Sequence, residues 1–396
     1  YLRRPPRAGA PQLSEPPPMD QTLPAPAPST RWTRFHGVRR AFRNLVLRGA
    51  LLELVTFGFY RFWLATDIRR HLWSHTLVDG DPLEYVGRAR ELLIGFLIAT
   101  AILMPAYLVY FLVGIEAERV QAFASLPLSL FLYLFAQFAI YRARRYRVTR
   151  TVWRGLRFTM TGSGIGYAWR AALWDLAVLL SLGAALPWRQ AALERYRMRH
   201  TAYGDLQGGF DGTGRELFRR GWHLWLLTVP ALLTIIPLPF LIAAWRATML
   251  QWWVSNVRFG EVRFHSYLER RALFGTYWKA TGWWVLLGIL MGLWVSGIFG
   301  LAAALAQPAP DGTPDYAAAF AHPLALAGLG LGYLLMALAV GVVVRIYLTR
   351  DIWARIVETT AVYGLEAADH ATGQGEAVDA IGEGFAGGLD LNIGGL

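Results

Sequence analysis

Four windows of the chain, residues 92–113, 126–141, 283–305 and 324–344, contain no Asp, Glu, Lys or Arg. That restricts the available folds more than any other feature. About 20 apolar residues let a helix cross a bilayer, and in hydrocarbon every backbone polar group must be satisfied within such a segment. The second window has only sixteen residues and would span with help from flanking aromatics. The chain is 55% hydrophobic, carries seventeen Trp and has a net charge of +12. A basic balance alone fits nucleic acid, an anionic membrane or an acidic substrate, and the apolar excess selects an integral membrane protein.

The basic stretch "RARRYRVTRTVWRG" (142–155) holds six arginines and directly follows the second window. A helix leaving the bilayer there places these arginines at anionic headgroups, each contributing about 1 kcal/mol. Tyr146 and Trp153 are residue types that settle at the same interface. Nucleic-acid binding is set aside on this ground. Cysteine is absent, which excludes disulfides, thiolate metal sites and cysteine nucleophiles.

Three further apolar stretches, 45–64, 169–188 and 222–245, are each interrupted by charge, glycine or proline. Every apolar unit is followed by a basic–aromatic stretch and a short glycine-containing strand. The five copies are "IRRHLWSHTLVDGD", "RYRVTRTVWRGLRF", "RYRMRHTAYGDL", "QWWVSNVRFGEVRF" and "DIWARIVETTAVYGLE", with glycines at Gly80, Gly155, Gly204, Gly260 and Gly364. If each interrupted stretch crossed once, the arginine-rich copies would alternate between faces, against the tendency of short basic loops to stay cytoplasmic. The interrupted stretches are therefore read as hairpins that enter and leave on the cytoplasmic side. The connectors 114–123, with one arginine, and 306–322, with none, are read as lying opposite.

The expected fold is an all-α polytopic membrane protein with short cytoplasmic β elements, built from internal repeats of helical hairpin, basic–aromatic helix and short strand. Residues 1–33, rich in proline, read as a disordered arm. Residues 34–361 read as the transmembrane domain, and 362–396 as an acidic, glycine-rich cytoplasmic tail.

The segments "TFGFYRFWLATDIRRHLWSHTLVDGDPLEYVG", "RYRMRHTAYGDLQGGFDGTG" and "IGEGFAGGLDL", together with "FHG" at 35–37, resemble the YjgN-type family of bacterial inner-membrane proteins, a domain of unknown function. The similarity runs over roughly residues 34 to 394. In the first copy "VRRAF" follows "FHG" where a glycine-rich continuation is expected. The resemblance implies a bacterial inner-membrane location and supplies no reaction, substrate or catalytic residue.

Charges within apolar stretches are costly unless paired or wetted, so Arg48, Glu53 and Asp175 are the intramembrane site residues. Glu53 is expected to pair with Arg48 or Arg61, and Asp175 with Arg170 or another arginine. The lipid-headgroup set is Arg69, Arg70, Arg145, Tyr146, Arg147, Arg150, Trp153, Arg195, Tyr196, Arg197 and Arg199. His71 and His75 are spaced i, i+4 with no acidic residue between them, which does not support a zinc site. "TGSGIG" and "FDGTGRE" lack the lysine of a phosphate-binding loop. The reading is therefore not an enzyme, with no cofactor and no metal. A transporter or permease-like protein leads. The alternative is a non-transporting structural or accessory protein that binds anionic lipids or a larger membrane complex.

Overall fold

The computed structural model describes residues 30–117, 125–234, 236–305 and 322–373. Most of the proline-rich arm (1–29), most of the acidic tail (374–396), residues 118–123 of the connector 114–123 and residues 306–321 of the connector 306–322 lie outside the described residues. The helices come in pairs. They are α1 (Arg39–Val55) with α2 (Arg61–Ser74), α3 (Ala89–Ala117) with α4 (Ser125–Thr149), α5 (Gly164–Leu180) with α6 (Leu186–Arg199), and α7 (Gly214–Thr234) with α8 (Leu238–Ser255). The fifth pair is α9 (Phe274–Leu305) with α10 (Pro323–Val343), which continues through a π-helical stretch, Val344–Asp351, into α11 (Ile352–Glu358). A short α12 (Glu366–Asp369) follows the last strand.

Between the pairs run β1 (Thr30–Trp32), β2 (Arg34–Phe35), β3 (Thr76–Val78), β4 (Asp81–Tyr85), β5 (Thr151–Trp153), β6 (Leu156–Met160), β7 (Thr201–Tyr203), β8 (Leu206–Phe210), β9 (Val257–Phe259), β10 (Val262–Ser266) and β11 (Thr360–Tyr363). These strands correct the all-α expectation. They form one antiparallel sheet of 11 strands, in the order β1-β11-β10-β9-β8-β7-β6-β5-β4-β3-β2. Both ends of that order, β1 and β2, are joined through Thr33, so the sheet curls into a nearly closed ring. The physical reason is edge satisfaction. A two-stranded hairpin leaves a row of N–H and C=O groups open on each side, and the neighbouring hairpin supplies the partners. Strands of two to five residues are too short for alternation to announce a sheet.

The turns explain why five glycines recur. Gly80, Gly155, Gly204, Gly260 and Gly364 all have positive φ, from 55° to 86°, a region open to glycine at no steric cost. Asp79–Gly80 and Arg154–Gly155 have two consecutive positive φ values, the pattern of tight hairpin turns matched to strand twist. Inside the ring, Val78, Leu83, Trp153, Phe158, Tyr203, Phe259, Val262 and Val362 form one apolar cluster. Leu365, Ala368 and Ala371, around α12, close it at the turn end. There the Thr372 N–H donates to Asp205 Oδ1 at 3.1 Å, and Arg154 pairs with Asp369.

Each helix pair begins and ends at this ring. Among the described residues, three helical segments are long and apolar enough to cross a membrane: Ala89–Phe111, Phe274–Ala304 and Pro323–Glu358. The window 126–141 was expected to be a fourth and is not among them, because α4 continues into the arginines at 142–147. Between α9 and α10, Gly328 and Gly332 let Ile298 and Trp294 approach closely. The Trp294 indole N–H donates to the Gly328 carbonyl at 2.9 Å.

The shorter pairs α1–α2 and α5–α6 share one turn design. Thr56 and Ser181 each accept, on the side-chain oxygen, the N–H four residues on (Tyr60 and Ala185, both 2.9 Å). The next two residues, Phe57–Gly58 and Leu182–Gly183, take positive φ. Phe57 and Leu182 are left 87% and 85% exposed.

Candidate functional site

Where the helices meet the ring, a cavity of about 490 Å³ opens between α2, α4, α8, α10 and α11. Its wall is mostly apolar (Ala65, Ile68, Leu72, Val148, Ala337, Val340), interrupted by the guanidinium groups of Arg61, Arg69, Arg144, Arg147 and Arg345. No carboxylate stands among its lining residues. Local sequence explains the placement. Arg61, Ala65, Ile68, Arg69 and Leu72 recur at helical i, i+3, i+4 spacing along one face of α2. Arg144, Arg147 and Val148 do so in the last turns of α4. Arg345 sits in the π-helical stretch, whose wider turn re-aims side chains and recurs at functional sites.

Arg345 and Arg144 are held by carboxylates. Arg345 Nη1 donates to Glu53 Oε2 at 3.0 Å, joining α1 to the π-helical stretch. Arg144 makes a fork to Glu194, with Nη1 to Oε2 at 3.0 Å and Nη2 to Oε1 at 2.5 Å. Glu194 is also within 3.4 Å of Arg197 and is only 5% exposed at its side chain. Burial pushes the Glu194 carboxyl upward, but Arg144 and then Arg197 outweigh it and hold the group below the usual carboxylate range. Two indoles, Trp73 and Trp353, stack 4.7 Å apart on the wall and anchor to the strands through Thr151 and Thr76. Low-dielectric walls focus the field of the guanidinium groups, so the cavity is suited to a negatively charged group.

The intramembrane residues read from sequence fall elsewhere. Glu53 is buried behind the cavity and meets Arg345, in place of Arg48 or Arg61. Arg48 is exposed beside a cleft that Asn44, Tyr60 and Asp67 also line. Asp175 pairs with Arg189 across the α5–α6 hairpin (Nη2 to Oδ2, 2.9 Å) and accepts from the Tyr133 hydroxyl. Arg170 instead donates to the Gly166 carbonyl at 2.9 Å and lies over the Tyr196 ring.

The headgroup set divides. Arg69 and Arg147 line the cavity. Arg70 donates to the Gly87 carbonyl, and Arg150 pairs with Glu91 at 2.9 Å, as does the fully buried Tyr146 through its hydroxyl. Arg145 is half-buried on α4, and Trp153 is buried inside the ring. Arg197 belongs to the Glu194 cluster. Arg195, Tyr196 and Arg199 lie along an outer cleft. His71 and His75 stack at 4.2 Å, and burial, then His75 and Arg350, push His71 down to about 4. Among the described residues no group of three His, Cys, Asp or Glu could hold a metal. Sequence reading missed Arg144, Arg345 and Glu194 as site residues. Arg144 lay inside the quoted basic stretch, whereas nothing local marks Arg345 or Glu194.

A family model described as a bacterial protein of unknown function (DUF898) matches residues 30–250, from β1 into α8. No curated protein and no solved structure matches the chain.

Proposed function

Because the chain belongs to this bacterial family of unknown function, often called the YjgN family, we propose its role from its own geometry: a permease-like membrane protein that binds a single-chain anionic amphiphile in the central cavity. One observation carries this reading, the setting of five guanidinium groups in an apolar wall around a cavity of about 490 Å³, with Arg144 and Arg345 among them ion-paired to Glu194 and Glu53 behind the wall. A volume of that order suits one small ligand, and guanidinium matches carboxylate or phosphate in a two-pronged geometry. In this reading all five helix pairs enter from the ring side, which is cytoplasmic by its arginine content.

The test uses the protein in nanodiscs of neutral lipid with a dansyl-labelled fatty acid. Arg147→Gln should weaken binding about fivefold, the loss of ~1 kcal/mol of attraction, and Ala337→Trp should abolish it by filling the cavity. Binding untouched by both variants overturns the reading. Flux of the same probe into proteoliposomes then separates transport from retention. One observation favours a non-transporting accessory role: Glu53 and Asp175 both lie in ion pairs that tie segments together, away from the cavity wall.

A further inference from the structure

A second basic cleft lies on the outer side of the α5–α6 pair, and neither the central cavity nor the ring accounts for it. Ser163, Gly166, Arg170, Arg195, Tyr196 and Arg199 line its wider part, of about 730 Å³. Past Arg195 it continues as a hollow of about 390 Å³ bounded by Trp174, Trp188, Thr213 and Arg215 at the start of α7. No Asp or Glu lines either part. Among the described residues, none of Arg170, Arg195, Arg199 and Arg215 pairs with a carboxylate. The nearby acids are engaged elsewhere: Asp175 with Arg189, Glu194 with Arg144, Glu216 with Arg220, and Asp211 with Arg258. The internal bonds present fix positions and leave charge uncompensated: Arg170 on the Gly166 carbonyl, Arg195 on the Gly212 carbonyl at 3.0 Å, and the Tyr196 hydroxyl on the Ser163 carbonyl at 2.9 Å.

A second, independent feature adjoins the cleft. Ile165, Trp169, Leu173, Leu176 and Leu180 recur at spacings of four, four, three and four along α5, which is one helix face. All five are exposed, Leu173 at 67% and Leu180 at 77%. The stripe starts beside the arginines and runs away from the ring to the hairpin turn. A solvated face of that composition would be costly in water. Cationic base and apolar stripe together have the two-part chemistry of a phospholipid, with phosphate at the base and acyl chains along the helix.

We propose that the α5–α6 cleft is a specific binding site for an anionic diacyl phospholipid, whose phosphate is held by Arg170, Arg195 and Arg199 while its chains lie on the Ile165–Leu180 stripe. The site is separate from the central cavity, and either can fail without the other. It commits to a membrane lipid over free phosphate, because the apolar stripe gives phosphate alone nothing to bind.

The full chain, in nanodiscs of phosphatidylcholine doped with phosphatidylglycerol, is tested by counting lipids retained in native mass spectrometry and by titrating the phosphatidylglycerol fraction. The wild type should retain one phosphatidylglycerol preferentially. Arg170→Gln with Arg199→Gln should weaken that retention roughly thirtyfold, about fivefold per arginine. Arg170→Lys with Arg199→Lys should restore most of it, and Arg355→Gln, exposed on α11, should leave it unchanged. Leu173→Ser with Leu176→Ser should also weaken retention with the arginines intact. All side chains changed are partly or wholly exposed, and unchanged thermal unfolding confirms an intact fold for each variant. Equal retention by the glutamine double variant overturns the proposal. So does displacement of the lipid by millimolar inorganic phosphate, which would make the cleft a phosphate site.

Discussion

Glu194, Glu53 and Asp175 each face an arginine, and their side-chain exposures of 5%, 11% and 32% rank what each is worth. Removing one partner of a buried pair strands the other charge and costs about 3–5 kcal/mol, whereas exposed pairs contribute about 0–1. Glu194→Gln should therefore destabilise by about 3 kcal/mol, since Arg144 and Arg197 both lose their counter-charge. Glu53→Gln should cost less, and Asp175→Asn about 1 kcal/mol or below. Unfolding in mild detergent, followed by tryptophan fluorescence, gives the order, and a loss at Asp175 exceeding that at Glu194 would refute it. The sign with pH follows from the depressed Glu194 carboxyl. Its stabilisation is present above the ordinary carboxylate range and is lost as pH falls through the lower folded value. Glu194→Gln should flatten that acid limb.

At the scale of elements, the α1–α2 and α5–α6 turns spend backbone strain on an apolar tip. A non-glycine residue in the left-handed region costs about 1–2 kcal/mol, and Leu182 pays it while touching little of the protein (85% exposed). Two effects then compete in Leu182→Gly. Relief of strain stabilises by about 1 kcal/mol wherever the tip sits. Loss of the side chain costs about 2 kcal/mol only if the tip is immersed in an apolar phase. In bicelles we expect the second effect to win, with net destabilisation of about 1 kcal/mol, whereas stabilisation of that size would place the tip in water. This turn was partly legible in sequence, because glycine or proline interrupted each of the three stretches. The shared side-chain bonds of Thr56 and Ser181 were not, since hydroxyl residues are common and the match appears only in three dimensions.

For the whole molecule, the sheet sets the reference plane. The turns at Gly80, Gly155, Gly204 and Gly260 all belong to one ring, so single cysteines at neighbouring Asp79, Arg154, Asp205 and Glu261 should be labelled from the same side of the membrane. The chain has no native cysteine to confuse the result. Labelling of one from the opposite side in intact cells would break the common plane. The recurrence of these glycines was readable from the repeated basic–aromatic motifs, although the sequence reading set them in short strands and the structure sets them in the turns between strands. The ring itself was hidden, because Leu83 meets Trp153 across 70 residues of chain and Arg31 meets Val362 across 331, and no local pattern encodes such partners. The central cavity was hidden for the same reason: its arginines come from α2, α4 and the π-helical stretch, and sequence shows them only as members of separate basic runs.

The seam at Thr33 bears on biosynthesis. Thr33 donates to the Thr360 carbonyl 327 residues later in the chain, and β1 lies against β11, the last of the described strands to leave the ribosome. A nascent chain can zip β2 through β10 hairpin by hairpin as each helix pair is inserted. β1 must meanwhile wait, its edge unmet, until translation has passed Tyr363. Closure is thus a single late event that reports completion of all five helix pairs, and a chain stalled before β11 keeps two open edges through which a second stalled chain could join it.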